Sequence, residues 1–204
     1  GRTLRAQHAW LGDRPLVVYA GTLGKLNGVA YLARLAAAVK KHDPEVRFLV
    51  VGEGREETEV RQTARELGVL DKNFFMWPPL PKADMPKLLS AADMATSLFI
   101  DIKENWANSA NKVFDALAAG RPLAINHLGW HADRIHETGC GLVLDRHNVE
   151  SAARQLAAAL DDRPWLARAG AAARRVAEAS FDRDKLFEQL EHVLLSIVAP
   201  RSKP

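Results

Sequence analysis

Residues 15–41, PLVVYAGTLGKLNGVAYLARLAAAVKK, decide the fold. The run PLVVYA at 15–20 is short, apolar and rich in β-formers, and Gly21 ends it. A polar turn carrying Gly21, Gly24 and Gly28 follows. Tyr31, Leu32, Leu35, Ala36 and Val39 then recur at helical spacing over 29–41, with Lys40 and Lys41 in the last turn. Strand, glycine-rich turn and helix in this order form the opening unit of a parallel sheet.

The same alternation continues downstream. Strands are predicted at 47–51 (RFLVV), 74–77 (FFMW), 94–99 (MATSLF), 122–126 (PLAIN) and 141–144 (GLVL). Helices are predicted at 56–67, 82–92, 111–119 and 132–138, and Gly68, Gly120 and Gly139 stop three of them. Residues 149–198 read as helical and Ala-rich, broken near Pro164 and near Phe181. Six strands alternating with helices imply an α/β, Rossmann-like, doubly wound six-stranded parallel sheet in the order 3-2-1-4-5-6, with extra C-terminal helices. Residues 15–198 are expected to form this domain. Residues 1–14 mix charged and apolar types without a period and read as a linker from a preceding domain, and 199–204 read as a tail.

Composition excludes several classes. The net charge of +3 gives no case for nucleic-acid binding. No apolar run approaches a membrane span, and the first residues hold no apolar signal region. The lone cysteine, Cys140, rules out an internal disulfide framework and is expected to be a small buried residue.

In such sheets ligands bind beyond the carboxyl ends of the strands, where strand order reverses. The loops 21–28 and 100–109 flank that point. The first, GTLGKLNG, is neither the dinucleotide fingerprint nor a P-loop, because Leu26 stands where a magnesium-binding hydroxyl is needed. Its glycines, Thr22 and Lys25 suit an anion at a helix start. A tight turn whose glycines serve only packing explains it equally well. The second segment, NSANKVFDALAAGRP at 108–122, offers Asn108 or Ser109 as a helix cap and leaves the next amides free. Val113, Phe114 and Leu117 make the buried stripe, and Asn111, Lys112 and Asp115 share another face. A carboxylate so placed can accept two hydrogen bonds from ribose hydroxyls. The plainer alternative is a surface ion pair between Lys112 and Asp115.

The run NKVFDALAAGRPLAIN resembles the donor-binding helix and following strand of glycosyltransferase family 4. VVYAGTLGKLNGVAYLARLAAAV resembles that family's first strand, phosphate loop and helix. FLVVGEGRE resembles its second strand and glycine turn, and LPKADMPKLLSAADMATSLF its base-side loop, short helix and fourth strand. The likeness is nearest to the subgroup that builds bacterial surface polysaccharides. It implies the C-terminal, donor-binding half of a GT-B enzyme that transfers sugar with retention from a nucleoside diphosphate sugar, UDP-linked as the first expectation, to a lipid-linked or saccharide acceptor. It also implies an acceptor domain outside this chain, and a cytoplasmic protein, peripheral on the inner face of the membrane. Neither metal nor further cofactor is implied.

The donor residues so implied are Gly21, Thr22, Gly24 and Lys25, then Pro79 and Leu80, then Asn108, Ser109, Ala110, Asn111, Lys112 and Asp115; no catalytic residue is assigned. Asp115 stands where the family has the second glutamate of a pair. The first falls on Ala107, so Glu104 or Asn108 is the nearest substitute. Thr22 replaces the usual arginine and Asn27 the usual phosphate lysine, for which Lys25 or Lys112 is the candidate. These departures keep open a nucleotide-binding module without transfer activity. A sugar-nucleotide epimerase of the same architecture is a weaker alternative.

The remaining residues have plain readings. His127 and His131 lack a third ligand, so a metal site is not expected there. Asp182-Arg183-Asp184 is read as a helix cap. Trp77 is a candidate to flank a base or to pack in the core, and Trp106 to close over the donor. Leu186, Phe187, Leu190, Val193 and Leu194 form a packing face on the last helix, part of which is expected to be exposed.

Overall fold

The computed structural model describes residues 1–198; the expected tail at 199–204 lies outside the described residues. Six strands form one parallel sheet: β1 (Leu16–Ala20), β2 (Arg47–Val51), β3 (Phe74–Trp77), β4 (Met94–Ser97), β5 (Leu123–Ile125) and β6 (Gly141–Val143). Their order is β3-β2-β1-β4-β5-β6, as the alternation predicts. β1 lies at the centre, paired with β2 from Leu16–Arg47 to Ala20–Val51 and with β4 from Val17–Met94 to Tyr19–Thr96.

The helices are α1 (Arg2–Gln7), α2 (Ala30–Val39), α3 (Glu57–Glu66), α4 (Met85–Ala91), α5 (Asn111–Ala118), α6 (Trp130–Thr138), α7 (Val149–Asp161), α8 (Arg163–Ser180) and α9 (Arg183–Val198). The period-2 geometry of a strand sends alternate side chains to opposite faces. Val17 and Tyr19 of β1 meet α2, α3 and α7 on one face. Leu16 and Val18 meet α4 and residues 4–11 on the other. On that second face, α5, α6 and α8 cover β4 and β5 through Ala95, Leu123 and Ile125.

β4 is shorter than its apolar run suggests. Its last paired residue is Ser97, and Leu98 and Phe99 continue buried beyond the sheet. There the amide of Phe99 donates to Oδ1 of buried Asn126 at 2.9 Å. The long C-terminal stretch divides where the sequence indicates. Asp162 caps α8 by accepting from the Trp165 amide at 2.8 Å, and Pro164 occupies the first turn, where a missing N–H costs nothing. α9 carries its apolar side outward: Leu186, Phe187, Leu190, Val193 and Leu194 are all about half exposed or more.

The first 14 residues are not a loose linker. α1 packs on α4, Leu11 is fully buried, and Trp10 stacks on Phe75 with ring centroids 3.9 Å apart. Arg5 donates to the carbonyls of Ala91, Gly12 and Arg14 and pairs with Asp93 at 2.7 Å. Asp93 also accepts from the Leu16 amide at the head of β1 and pairs with Arg163 at the start of α8. The segment shows no apolar period because α1 buries none of its residues; the Arg5–Asp93 pair, buried Leu11 and the Trp10 stack fasten it. Among the described residues, no helix is long and apolar enough to cross a membrane.

Asp93→Ala removes the acceptor shared by Arg5, Arg163 and the Leu16 amide. It is expected to lower unfolding stability by about 2–3 kcal/mol, as for a partly buried charged acceptor whose donors are left behind. Urea denaturation measures this. A loss under about 0.5 kcal/mol, the range of an ordinary surface pair, would show that the first segment is not held through this carboxylate.

Candidate functional site

A cleft of about 580 Å³ opens at the carboxyl edge of the sheet, across the ends of β3, β2, β1 and β4. Strand order reverses between β1 and β4, the place where open α/β sheets bind ligands. The wall from the β1 loop supplies Gly21, Thr22 and Asn27. The β2 turn supplies Gly52 and Glu53, and the β3 side supplies Pro79, Leu80, Lys82 and Met85. Phe99 follows β4, and Asn108, Ala110, Asn111, Lys112 and Asp115 line the far side.

The floor is built by backbone lying against backbone. The Gly21 amide donates to Val51 O at 2.9 Å, the Leu23 amide to Glu53 O at 2.8 Å, and the Glu56 amide to Leu23 O at 2.9 Å. A Cβ on Gly52 would overlap the Gly21 carbonyl, and Gly52 has φ +148°, so the approach requires glycine. Buried Leu23 pins the β1 loop into the core. The loop therefore turns away after Thr22: Gly24 and Lys25, which open the 3-10 turn Lys25–Asn27, do not line the cleft, and Lys25 is exposed. Ser109 is likewise exposed and outside the lining.

α5 points its N-terminus at the cleft. Neither Asn108 nor Ser109 caps it, contrary to the sequence reading. The N-cap is Ala110, which has no side-chain acceptor, while the Asn108 carbonyl is taken by Trp130 Nε1 at 3.2 Å. The first amides of the helix are therefore left for solvent or a ligand. Val113, Ala116 and Leu117 form the buried stripe, and Phe114 is only half-buried.

Lys112 and Asp115 do not pair. Lys112 Nζ instead donates to Asn27 Oδ1 at 3.2 Å and lies 5.0 Å above the Tyr19 ring and 5.9 Å from the Phe99 ring. Burial, with no carboxylate to offset it, pulls its pKa down to about 8. A Cβ on Gly21 would stand 2.7 Å from Lys112 Cε, so that glycine makes room for the lysine stem. Asp115 is exposed to the cleft, and its carboxylate has no hydrogen bond or ion pair among the described residues.

Glu53, Lys82, Met85 and Phe99 belong to the lining and were not singled out from sequence. Glu53 and Phe99 carry a readable signal, since each lies just past the carboxyl end of a strand. The two tryptophans lie elsewhere. Trp77 packs against His8 and Trp10, and Trp106 sits against Gly129 with Arg146 5.7 Å from its ring. His127 and His131 are buried with ring centroids 5.9 Å apart, and burial lowers the pKa of both. Among the described residues, no group of three or more His, Cys, Asp or Glu side chains could hold a metal ion. Cys140 is buried, and Asp182 caps α9 by accepting from the Asp184 and Lys185 amides.

Known proteins share this architecture. The family model described as glycosyl transferases group 1 matches residues 2–176. A D-inositol 3-phosphate glycosyltransferase of Segniliparus rotundus is 30% identical over 147 residues, covering 69% of this chain and 31% of that protein. The Anabaena protein HepE, solved in complex with UDP-glucose, superposes with a TM-score of 0.80 at 19% identity, covering 95% of this chain and 52% of HepE. WaaG, a glycosyltransferase involved in lipopolysaccharide biosynthesis, superposes with a TM-score of 0.71 at 21% identity, covering 88% of this chain and 47% of WaaG. The chain thus spans a third to a half of the length of these proteins, and the structural likenesses show the fold of one half of a GT-B glycosyltransferase. With the match running from α1 into α8, the chain belongs to the group 1 glycosyl transferases.

Proposed function

We propose that this chain is the donor-binding half of a retaining, family 4-type glycosyltransferase. It holds a nucleoside diphosphate sugar, UDP-linked, for transfer to a lipid-linked or saccharide acceptor in bacterial surface polysaccharide or lipopolysaccharide synthesis. The observation that carries this reading is the pairing, in one cleft, of an uncapped helix start and a lysine that has no carboxylate partner among the described residues. Both suit an anion, and both strengthen as charge develops on a departing diphosphate. Asp115 lies just over a turn along α5, where its free oxygens suit the ribose hydroxyls. Pro79 and Leu80 at the opposite end offer an apolar seat for the base. HepE, solved with UDP-glucose, supports the donor class, and WaaG, involved in lipopolysaccharide biosynthesis, supports the biosynthetic setting.

The acceptor site belongs to a second domain outside this chain, and the exposed apolar side of α9 is a surface for that domain to cover. The whole enzyme works in the cytoplasm, peripheral to the membrane that carries its acceptor. A nucleotide-binding module without transfer activity is the second reading. It is favoured by Ala107, which is exposed at the end of the 3-10 turn Lys103–Ala107 and brings no carboxylate toward the sugar position. An epimerase finds no support, because neither His127 nor His131 lines the cleft.

Asp115→Ala is expected to weaken UDP binding by roughly 1.5–3 kcal/mol, the range for hydrogen bonds to a charged group. Stability should change little, since alanine is the best helix former. Asp115→Glu should keep much of the affinity. Calorimetric titration of the three proteins decides, and equal affinity in wild type and Asp115→Ala would remove the residue from the site.

UDP is expected to bind with the same affinity in the presence of a chelator. Binding that disappears on chelation would mean that a cation, not lysine and helix amides, neutralises the diphosphate. The chain alone is expected to bind donor yet give no product from labelled UDP-sugar and crude lipid acceptor, because transfer needs both substrates held in line. Turnover by this chain matching that of a two-domain enzyme would overturn the assignment of the acceptor site to another domain.

A further inference from the structure

Lys112 is tethered by a neutral group. Asn27 Oδ1 accepts from Nζ at 3.2 Å, and Asn27 Nδ2 in turn donates to Thr22 O at 2.9 Å. The Tyr19 hydroxyl donates to the same carbonyl at 2.8 Å, and the Tyr19 ring lies beneath the ammonium. The lysine is thus aimed into the cleft by one amide and two aromatic faces. An amide oxygen holds an ammonium more weakly than an anionic oxygen does. A diphosphate entering the cleft would meet an ammonium held only by a neutral acceptor.

Resting on the nucleotide reading above, we propose that Asn27 and Tyr19 are positioning residues that keep Lys112 as an uncompensated cation in proton exchange with solvent, so that donor binding is coupled to proton uptake by Lys112.

The groups around the ammonium are consistent with this. Burial pushes the Tyr19 phenol far above its usual range, so it stays neutral. From the β5 side, burial holds His127 below its usual value, with the Lys112 charge adding to the effect, so it too is neutral near pH 7. Asp115 on the same helix, and Glu53 and Lys82 across the cleft, line the site, but none forms an ion pair with Lys112. Burial leaves the lysine half-protonated near pH 8. A bound diphosphate favours the charged form and raises that value. Below pH 8 the cation is already present and binding takes up no proton. Above pH 8 each binding event must bring one, and affinity falls.

The test is calorimetry of this chain with UDP and, separately, inorganic pyrophosphate at pH 7 and pH 9, in buffers of different ionisation heat. From linkage, the expected result is roughly tenfold weaker binding at pH 9, with about one proton taken up there and almost none at pH 7. Lys112→Arg carries a cation that does not titrate in this range, so whatever its affinity at pH 7, that affinity should be nearly the same at pH 9, which also separates lysine titration from titration of the nucleotide. Asn27→Asp should lock Lys112 in an ion pair, weakening UDP binding about tenfold or more at pH 7 and flattening its pH profile. Circular dichroism checks that each variant is folded. Strong UDP binding without pH dependence or proton uptake would overturn the proposal and leave the nucleotide reading intact, as would unchanged binding by Asn27→Asp. No UDP binding at either pH by the folded chain would overturn both.

Discussion

The carboxyl edge of the sheet is organised around an ammonium group taken partly out of water, with no carboxylate among the described residues to meet it. Such a group is costly unless something else stabilises its charge. Here the something else is neutral: an amide oxygen from Asn27 and the faces of Tyr19 and Phe99. A fixed counter-charge at the same place would satisfy Lys112 and leave it little to offer a ligand. Its absence keeps the cation available, and the uncapped start of α5 adds a second source of positive potential on the same side.

Placing that lysine depends on the sheet edge beneath it. β1 is central, and its loop lies directly on the turn after β2, through hydrogen bonds from Gly21 to Val51 and from Leu23 to Glu53. Gly52 allows the contact and Gly21 leaves space for the Lys112 stem. Below, at the amino edge, Asp93 joins the first segment, the head of β1 and the start of α8. The two edges are stabilised by different means, close backbone packing above and a charged cluster below. The upper edge keeps the start of α5 without a side-chain cap.

Much of this is legible in the chain before folding. The alternation of short apolar runs with helical periods gives all six strands and their order, because parallel strands leave few other arrangements. The segment around Lys112 and Asp115 reads as a candidate site because a surface ion pair explains its charges but not the small residues Ala118, Ala119 and Gly120 or the polar loop before them. Three things are not legible. The fastening of residues 1–14 rests on Arg5 reaching Asp93 across 88 positions and on Trp10 stacking on Phe75, contacts with no local pattern. The turn of the β1 loop away from the cleft after Thr22 is set by Leu23, whose burial depends on the β2 turn. The choice of Asn27 over Asp115 as the partner of Lys112 is likewise tertiary, since spacing along α5 makes the intrahelical pair look equally good.

The most direct measurement is a crystal structure of this chain with UDP bound. The diphosphate is expected within hydrogen-bond distance of Lys112 Nζ and of the first amides of α5. The ribose hydroxyls are expected on the Asp115 carboxylate and the base beside Pro79 and Leu80, with Asn27 released from the lysine. A nucleotide seated elsewhere on the sheet edge, or one whose phosphates leave the contact between Lys112 and Asn27 intact, would contradict it.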